Sequence, residues 1–273
     1  MNPGAEKYPF RLLKTGRHSG FYNMGLDEAL LEAVAQGKSL PVLRFYGWDP
    51  ETVSVGYFQS LEEEVDLDIC KRRGVDVVRR ISGGGAVFHH AELTYSIIMP
   101  LTHPLAGRTI GESYEKLCAG IIQGLTLLGV PAQFAPINDI LACGRKVSGN
   151  AQTRRMGCVL QHGTILLDLD ADLMFELLKV PSIKIKDEKV KATLIQDVKE
   201  RVTSLKTLLG RDISYEETEA ALSEGFCRSL SLDFIEALPP EPVYPGGPAV
   251  PEETRAQELA AVKFASSEWL YMR

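Results

Sequence analysis

Apolar residues recur at helical spacing in several parts of the chain, and three of these stretches also carry signals for a helix start. In NMGLDEALLEAVAQG the apolar stripe consists of Leu26, Leu30, Leu31 and Val34. The stripe predicts an amphipathic helix that Asn23 caps. Two further helices, GESYEKLCAGIIQGLTLLG and SYEETEAALSEGFCRSL, are predicted to begin at capping boxes formed by Thr109 with Glu112 and by Ser214 with Glu217.

Between these helices lie segments rich in β-branched and aromatic residues, which predict strands. They are PVLRFYGW, TVSVGYF, VDVVRR, ELTYSIIM, NDILACGRKVSG and CVLQHGTILLDLD. Asp49 and Pro50 favour a turn between the first two, which we expect to form a hairpin or neighbouring strands. Because strands alternate with helices but also form hairpin-like pairs, the pattern predicts a mixed sheet covered by helices rather than a doubly wound parallel sheet.

The prolines and glycines of the chain concentrate in one segment and thereby suggest the domain boundaries. Residues 1–237 carry most of the helix and strand patterns and are expected to form one domain. Residues 238–251, LPPEPVYPGGPAVP, predict an exposed linker. Residues 252–273 predict a C-terminal helix and tail that pack on the same domain. The charge-dense segment KIKDEKVK is expected to be mobile.

Composition narrows the class of protein. With 273 residues, 45% of them apolar, the chain can bury a sizeable core. Its formal net charge of −6, with both signs mixed along the chain, argues against a nucleic-acid partner. No apolar run is long enough for a signal peptide or a membrane span, so we expect a cytoplasmic protein with no membrane partner. Free thiols in a reducing compartment are expected for the scattered cysteines Cys70, Cys118, Cys143, Cys158 and Cys227.

The stretch RRISGGGAVFHHAELTYS carries the first candidate site. Its arginine, serine and glycine positions are Arg79, Arg80, Ser82, Gly83, Gly84 and Gly85. Successive glycines let backbone N–H groups approach a ligand closely, and guanidinium groups match phosphate or carboxylate geometry, so the cluster predicts an anion site. A loose turn is the alternative interpretation. Neither GxxxxGK[ST] nor GxGxxG occurs, which disfavours the common nucleotide-binding folds.

A second group of polar residues lies in NDILACGRKVSGNAQTR, which we expect to form one hairpin. It brings an amide, a carboxylate, a cation and a hydroxyl within reach of each other, from Asn138, Asp139, Lys146 and Ser148. An ordinary solvated turn would carry similar residues. The glycine cluster upstream and His162 in the following strand favour a functional site. An apolar sleeve for a ligand is a further hypothesis for the aromatic residues Tyr46, Trp48, Tyr57 and Phe58, although strand aromatics are commonly core.

These motifs resemble the lipoate–protein ligase A family, whose catalytic domain carries RRxSGGGAVxHD, ND(I/L), GRKVSG and HGT(I/L)L in this order. Here they are RRISGGGAVFHH, NDI, GRKVSGNAQ and HGTILL, and the likeness extends to RFYGWDPETVSVGYFQ and KFASSEWLYMR. The resemblance implies an α+β fold with a mixed, largely antiparallel β-sheet flanked by helices, related to class II aminoacyl-tRNA synthetase and biotin ligase catalytic domains. It makes residues 1–237 the catalytic domain.

The resemblance also implies an enzyme and its reaction. A lipoate–protein ligase uses ATP, with Mg²⁺, to activate lipoate or octanoate as the acyl-AMP. It then transfers the acyl group to a lysine of a lipoyl carrier domain, such as the glycine cleavage H protein or the E2 subunit of a 2-oxoacid dehydrogenase. The larger ligases carry an accessory domain for which this chain shows no segment. The resemblance therefore implies either a separate accessory subunit or an enzyme that does not adenylate.

Site residues follow from the same resemblance. Lys146 matches the essential catalytic lysine, and Asp139 is a candidate metal ligand or a residue that orients the incoming amine. His162 is also interpretable as an ordinary core histidine, and His90 stands where the family has aspartate. The positions that match substrate or adenylate contacts are Arg79, Arg80, Ser82, Gly83, Gly84, Gly85, His89, Asn138, Asp139, Ser148, Gly149 and His162.

Two other functions stay open at this point. Single-domain octanoyltransferases share RFYGW, GYFQ and SSEW, and move octanoate from acyl carrier protein to a lipoyl domain through a cysteine acyl-enzyme, without ATP. Their cysteine lies in a segment that this chain lacks, since QFAPI passes directly to NDI. Cys143 is the candidate nucleophile for this alternative, and Cys158 is expected to be packed. The third hypothesis is a non-catalytic lipoyl-binding or carrier-docking module.

Overall fold

The fold is known from a computed structural model, which describes residues 7–179, 196, 200–235 and 247–272. Two predictions fall wholly or largely outside these residues. The segment KIKDEKVK lies outside them, and so does most of the predicted linker at 238–251. The described end of that linker is not exposed, because residues 247–249 are buried, and a helix begins at Val250 rather than after the linker.

Two sheets make up the β structure. The strands are β1 Tyr8–His18, β2 Val42–Trp48, β3 Thr52–Val55, β4 Asp76–Arg79, β5 Val87–His89, β6 Glu92–Pro100, β7 Ala132–Ala135, β8 Asp139–Ala142, β9 Arg145–Arg155, β10 Cys158–Leu166 and β11 Leu232–Phe234. Eight of them form the main sheet in the order β11-β1-β2-β6-β10-β9-β8-β7, and the other three form a small sheet in the order β4-β3-β5. In the main sheet only β11 with β1 and β1 with β2 are parallel. The predicted mixed, largely antiparallel sheet is confirmed.

One predicted pairing is wrong. The strands from PVLRFYGW and TVSVGYF, β2 and β3, lie in different sheets instead of forming a hairpin. Strand β2 is bonded on both sides, to β1 and to β6, and all seven of its residues are buried. It therefore offers no free edge, and β3 pairs with β4 and β5. This separation creates the space between the two sheets in which the candidate site lies.

Besides a 3-10 helix at Pro104–Ala106 and a π-helix at Ala260–Phe264, nine α-helices have both ends within the described residues. They are α1 Gly20–Ala35, α2 Leu61–Glu64, α3 Leu67–Arg73, α4 Ile110–Leu127, α5 Ala171–Leu177, α6 Leu205–Leu209, α7 Tyr215–Leu230, α8 Val250–Leu259 and α9 Ser267–Leu270. The caps predicted at Thr109 and Ser214 are confirmed, since each side chain accepts a hydrogen bond from the N–H three residues later, at 3.1 and 3.0 Å. The cap predicted at Asn23 is wrong. Ser19 caps α1, and the Asn23 amide instead donates to the carbonyls of His18 and Gly47 from inside the helix.

Each face of the main sheet is covered by a helix pair. Helices α4 and α7 pack on one face, and they approach so closely that a Cβ at Gly225 would lie 2.5 Å from the carbonyl oxygen of Gly120. Helices α1 and α8 pack on the other face, where a Cβ at Gly25 would lie 2.5 Å from the carbonyl oxygen of Ala256. The small sheet forms a third apolar cluster with α2, α3 and α5. Within the described residues, no helix has the length and apolar character to cross a bilayer.

Candidate active site

A cavity of about 330 Å³ lies between the main sheet and the small sheet. Its walls come from α1, α5, the strands β2, β3, β5, β6, β9 and β10, and the loops on either side of β5. Eight of the predicted site residues line it: Arg80, Gly84, Gly85, His89, Asn138, Lys146, Gly149 and His162. The others, which do not line it, are Arg79, Ser82, Gly83, Asp139 and Ser148. The two sequence motifs therefore meet at one cavity, although not through every predicted residue.

Arg79 does not face this cavity, so its predicted contact with substrate is corrected. Its guanidinium is fully buried and donates only to backbone carbonyls among its described partners. The distances are 2.8 Å to Gly56, 2.8 Å to Gln59 and 2.8 Å to Leu270. Burial lowers the pKa of the Arg79 guanidinium from its usual range. Arg79 thus ties the loop after β3 to the C-terminal helix α9.

Arg80 fixes the shape of the glycine loop through hydrogen bonds to its backbone. Its guanidinium donates to the carbonyls of Gly83 and Gly85 at 2.9 and 2.6 Å, and to Ser54 Oγ at 3.0 Å. Burial lowers its pKa to about 10, so it is still charged at neutral pH. No described carboxylate forms an ion pair with it, and its positive charge therefore adds to the field at Gly84 and Gly85.

The glycine loop itself needs glycine at particular positions. Gly84 has φ of +96°, a conformation that L side chains rarely adopt. Its carbonyl also lies against Gly56 of the neighbouring loop, where any Cβ would overlap the oxygen. Gly83 has open space around it and does not line the cavity. The tight position in the SGGG motif is therefore Gly84.

His162 is both buried and part of the cavity wall. Its Nε2 accepts from Ser82 Oγ at 2.6 Å, which fixes the glycine loop to β10. Its Nδ1 then donates to Asp27 Oδ2 at 3.3 Å. Burial lowers the pKa of His162, partly opposed by Asp27. The neutral imidazole is thus a positioning group, and Ser82 acts through it instead of contacting the cavity.

Asp27 is the residue that sequence reasoning missed in this network. Its carboxylate accepts from Arg44 Nη1 at 2.8 Å, Ser96 Oγ at 2.9 Å and Tyr46 Oη at 3.1 Å. Burial alone would raise the pKa of Asp27, but the bond from His162 and the charge of Arg44 outweigh it and lower the pKa. Burial raises the pKa of Tyr46, which keeps its hydroxyl a donor. Asp27 lies in a stretch whose apolar stripe signals only a helix, so the sequence held no sign of this role.

His89 belongs to a second polar chain along the wall. Its Nε2 contacts Ser54 Oγ at 2.8 Å, and its Nδ1 contacts Glu92 Oε1 at 2.5 Å. The ring stacks on Trp48, with centroids 3.9 Å apart and planes inclined by 16°. His90, which replaces the family's aspartate, hydrogen-bonds Glu51. Glu92 is a further wall residue that sequence reasoning did not single out.

Lys146 reaches the cavity because of a β-bulge. Ile140 pairs with Ser148 while Leu141 pairs with Lys146, so β9 holds one extra residue at this point. Gly149 leaves room for the lysine, since a Cβ there would lie 2.8 Å from Lys146 Nζ. The ammonium is paired with Asp139 Oδ1 at 2.7 Å, with the two side chains 38% and 34% exposed.

The described residues do not fit a protein-held metal ion. They contain no group of three or more His, Cys, Asp or Glu side chains arranged to hold one. Asp139, the predicted metal ligand, has its Oδ1 committed to the Lys146 ammonium. In this structure Asp139 is the ion-pair partner of Lys146, and its role as a metal ligand stays a prediction.

Asn138 lines the cavity, whereas Ser148 does not. The Asn138 amide donates to the Asn150 carbonyl, and Asn150 Nδ2 donates back to the Asn138 carbonyl at 2.8 Å. Tyr95 Oη fixes Asn150 by donating to its Oδ1 at 2.8 Å. This reciprocal pair holds the start of β8 against β9 at the cavity. Ser148 Oγ is buried, away from the cavity, and has no partner among the described residues, so its predicted contact with substrate is corrected.

The cysteines supply no thiol to the cavity. All five lie within the described residues as free thiols, and none is among the cavity-lining residues. Burial raises the pKa of Cys70 to about 11 and that of Cys118 to about 12. Burial also raises the pKa of Cys158 and Cys227. Cys143 is exposed at the β8–β9 turn, with φ of 49°.

Two of the four aromatic candidates line the cavity. Tyr46 and Trp48 do so from β2, where Tyr46 donates to Asp27 and Trp48 stacks on His89. Tyr57 and Phe58 do not, and Phe58 is 87% exposed. The apolar part of the wall is completed by residues that the sequence did not suggest: Met24, Phe88, Leu166, Met174 and Leu178.

This geometry agrees with what comparison with known proteins finds. The family model described as the lipoyl protein ligase A/B catalytic domain matches residues 19–227. The chain belongs to this family. The predicted resemblance is confirmed, and so is the expectation that the chain is an enzyme.

Individual relatives fall into two functional groups. Octanoyltransferase LipM of Geobacillus kaustophilus is 37% identical over 290 residues, which cover 98% of this chain and 99% of the relative. Octanoyltransferase LipM of Bacillus subtilis is 35% identical over 291 residues, covering 98% and 100%. Among solved structures, a bi-partite lipoate protein ligase from Thermoplasma acidophilum has a TM-score of 0.81 and 30% identity, covering 99% and 98%. A lipoate-protein ligase A bound with ATP has a TM-score of 0.78 and 30% identity, covering 97% and 99%.

Proposed function

We propose that this chain is an acyl-adenylate-type lipoate–protein ligase, with ATP and lipoate or octanoate as substrates and a lipoyl-domain lysine as acceptor. The observation that carries the proposal is the content of the cavity wall. It holds the ammonium of Lys146 and the glycine loop, and none of the five cysteines. A wall of this kind suits stabilisation of anions, and it lacks the nucleophile that a thioester route requires.

The first half-reaction joins two anions. A carboxylate oxygen attacks the α-phosphorus of ATP, forming the acyl–phosphate bond and releasing pyrophosphate. Lys146 and the uncompensated charge of Arg80 offset the repulsion, and the N–H groups at Gly84 and Gly85 supply neutral donors. Mg²⁺ in nucleotide sites is held largely by phosphates, so none of the described carboxylates is assigned to it.

The second half-reaction forms the amide. The lysine amine of the carrier attacks the acyl carbon, and the carbon–oxygen bond to AMP breaks. Negative charge develops on the acyl oxygen, where the Lys146 ammonium is the natural donor. Its ion pair with Asp139 and the bulge in β9 hold this ammonium in place. Correct positioning of the two reactants supplies much of the rate.

Transfer of octanoate through a cysteine is the second candidate, because the curated relatives described above bear the name octanoyltransferase. It would need Cys143, the exposed thiol beside the β8–β9 turn. The buried thiols are poor candidates, since their raised pKa values keep them protonated at neutral pH. The observations on the cavity wall favour the ligase over this alternative.

The partners belong to the same proposal. One solved neighbour is described as a bi-partite ligase with its E2 lipoyl domain. We therefore expect an E2 lipoyl domain or a glycine cleavage H protein as acceptor, and a separate accessory subunit that completes activation. A cytoplasmic location fits five free thiols.

The test supplies a preformed adenylate, so that no accessory subunit is needed. The pure chain is mixed with lipoyl-AMP and an E2 lipoyl domain, and lipoylation is followed by intact-protein mass spectrometry. Transfer is expected from wild type and from Cys143→Ala. Lys146→Ala is expected to lose transfer by about 10²–10³-fold, the usual effect of removing one charge-stabilising donor.

A parallel reaction, with octanoyl acyl carrier protein and no nucleotide, tests the thioester route. If wild type acylates the lipoyl domain there, and Cys143→Ala abolishes that activity, the thioester route is correct and the ligase proposal is wrong. A wild-type chain that transfers from lipoyl-AMP but not from the carrier thioester supports the ligase.

A further inference from the structure

Glu92 places a buried carboxylate on the wall of the cavity. It begins β6, and 2% of the residue is exposed. Its Oε1 accepts from His89 Nδ1 at 2.5 Å and from Thr94 Oγ1 at 2.9 Å. Trp48 Nε1 donates in turn to Thr94 Oγ1 at 2.8 Å. The carboxylate is therefore held in one orientation by groups that are themselves fixed.

The second oxygen of this carboxylate, Oε2, is buried and has no hydrogen-bond partner among the described residues. An ionised oxygen in such a position is costly until a donor reaches it, and a cationic donor compensates it best. Glu92 lines both the cavity described above and a second cavity of about 550 Å³, with Ala91 and Asp168 as the other shared residues. The residue that carries the unpartnered oxygen thus lies where the two cavities meet.

Strand register brings Glu92 to the same end of the main sheet as Lys146. Glu92 pairs with Leu166 on β10, and Ser148, two residues after Lys146, pairs with the adjacent Ile165. Strand β10 separates the two strands, so their backbones lie about 10 Å apart. Both side chains line the one cavity. An acyl carbon held between them can be reached from both sides.

Among the described carboxylates that line the two cavities, only Glu92 has a buried oxygen without a hydrogen-bond partner. Asp168, the other carboxylate shared by the two cavities, is paired with Lys206 at 2.9 Å. The remaining ionisable groups of the first cavity are Tyr46, Arg80, His89, His90, Lys146, His162 and Asp170. Those of the second cavity are Lys14, Arg17, Asp212, Tyr215, Glu216 and Glu219.

We propose that Glu92 receives the acceptor lysine, binds its ammonium group through Oε2 and removes its proton. The inference rests on the proposed function and adds to it the general base of the transfer step. A lysine amine with a pKa of about 10.4 is almost fully protonated at neutral pH and cannot attack until a proton leaves. The oxygen without a partner supplies both the binding position and the proton acceptor.

The step balances without a further reactant. One proton passes from the lysine nitrogen to Glu92 Oε2. The neutral nitrogen attacks the acyl carbon, the carbon–nitrogen bond forms, and the carbon–oxygen bond to the AMP phosphate breaks with its electron pair on AMP. The second nitrogen proton passes to water as the amide forms, and Glu92 later returns its own proton to water.

Glu92→Gln tests the inference with little change of shape. Glutamine keeps an oxygen that can accept from His89 and Thr94, and it replaces the unpartnered oxygen by an amide that cannot take a proton. With lipoyl-AMP and an E2 lipoyl domain, the variant is expected to transfer about 10²-fold more slowly or worse, the usual contribution of a general base. Its rate should rise steadily with pH where the wild-type profile is flatter. Glu252→Gln, a buried carboxylate on α8 outside the cavity, is the matched control and should transfer as wild type does.

Hydroxylamine as the acceptor separates proton removal from shape, because this amine is already unprotonated at neutral pH. If Glu92 is the base, Glu92→Gln consumes lipoyl-AMP with hydroxylamine at the wild-type rate, and calorimetry gives an unchanged affinity for lipoyl-AMP. If Glu92→Gln loses activity with both the lipoyl-domain lysine and hydroxylamine, Glu92 only shapes the site. This result overturns the inference. If the glutamine variant does not fold, Glu92→Asp replaces it: its shorter side chain withdraws the carboxylate from the lysine, so slower transfer is expected with lysine and not with hydroxylamine.

The two proposals fail in different ways. A Glu92→Gln variant that modifies the lipoyl domain at the wild-type rate over the whole pH range overturns the role of Glu92 and leaves the ligase proposal intact. A wild-type chain that cannot transfer from lipoyl-AMP at all overturns the proposed function itself.

Discussion

Replacing Asp27 by asparagine should destabilise the whole catalytic domain, because every described partner of this carboxylate is a donor. Arg44 Nη1 and Ser96 Oγ donate to Oδ1, and Tyr46 Oη and His162 Nδ1 donate to Oδ2. An asparagine keeps one oxygen but presents an NH₂ group to the other pair of donors. It also leaves the fully buried guanidinium of Arg44 without a counter-charge.

The size of this destabilisation follows from the burial of both side chains of the ion pair, Arg44 and Asp27. The side chains of Arg44 and Asp27 are 0% and 2% exposed, so water cannot replace the lost charge. Removing one member of such a pair costs about 3–5 kcal/mol. For a domain of this size that free energy corresponds to a fall in Tm of about 6–20 °C.

Differential scanning calorimetry of the full chain at pH 7.5 measures this change. Asp233→Asn is the matched control, since Asp233 is 52% exposed and its ion pair with Lys7 spans 3.8 Å. The control should alter stability by less than about 1 kcal/mol. A Tm of Asp27→Asn that equals that of the control would refute the account of this network.

Three further predictions concern the same chain. Gly225→Ala should lose about 1–3 kcal/mol of unfolding free energy in urea titrations, because its Cβ would lie 2.5 Å from a carbonyl oxygen of α4. Gly111→Ala is the control and should keep its unfolding free energy, because the atom nearest to its Cβ would be 3.9 Å away. Burial lowers the pKa of His162, so the unfolded chain binds a proton that the folded chain excludes. Unfolding free energy should therefore fall as pH drops below about 6.5, by at most about 1.4 kcal/mol per pH unit for this group, and His162→Gln should make that fall shallower. Gly56→Ala should displace the carbonyl of Gly84 and weaken lipoyl-AMP binding in calorimetry while the chain stays folded; unchanged binding would contradict the loop contact.

Local patterns were sufficient for most of the elements. Helix α4 has one apolar side that meets the sheet and a threonine that caps its first turn, and both features are written in neighbouring residues. The same holds for α7 and its cap at Ser214. The mixed sheet also followed, because hairpin-like pairs and helical crossovers leave few other arrangements.

Contacts between distant residues were beyond those patterns. The bulge that directs Lys146 into the cavity arises from a register between β8 and β9, and no single strand contains it. Arg79 and Arg80 are adjacent and alike in sequence, yet one guanidinium is enclosed by carbonyls of α9 and the loop after β3, while the other supports the glycine loop. Which arginine faces a ligand depends on what surrounds each, and this depends on the whole fold.

The polar network at Asp27 could not be predicted for the same reason: it depends on contacts between residues far apart in the sequence. Asp27 and Arg44 lie on α1 and β2, within segments whose strongest signals are apolar. Burial of an ion pair costs free energy unless both charges are satisfied. Only the assembled sheet, with Ser96 and His162 on two further strands, supplies those partners.

The central claim is that this chain transfers the acyl group from an adenylate without a cysteine nucleophile. The most direct test is to measure which acyl donor it accepts. Cys143→Ala is compared with wild type for modification of an E2 lipoyl domain, once from lipoyl-AMP and once from octanoyl acyl carrier protein without nucleotide, by intact mass. The account predicts equal transfer from lipoyl-AMP by both proteins and none from the carrier thioester. Transfer from the thioester by wild type, lost in Cys143→Ala, would contradict it.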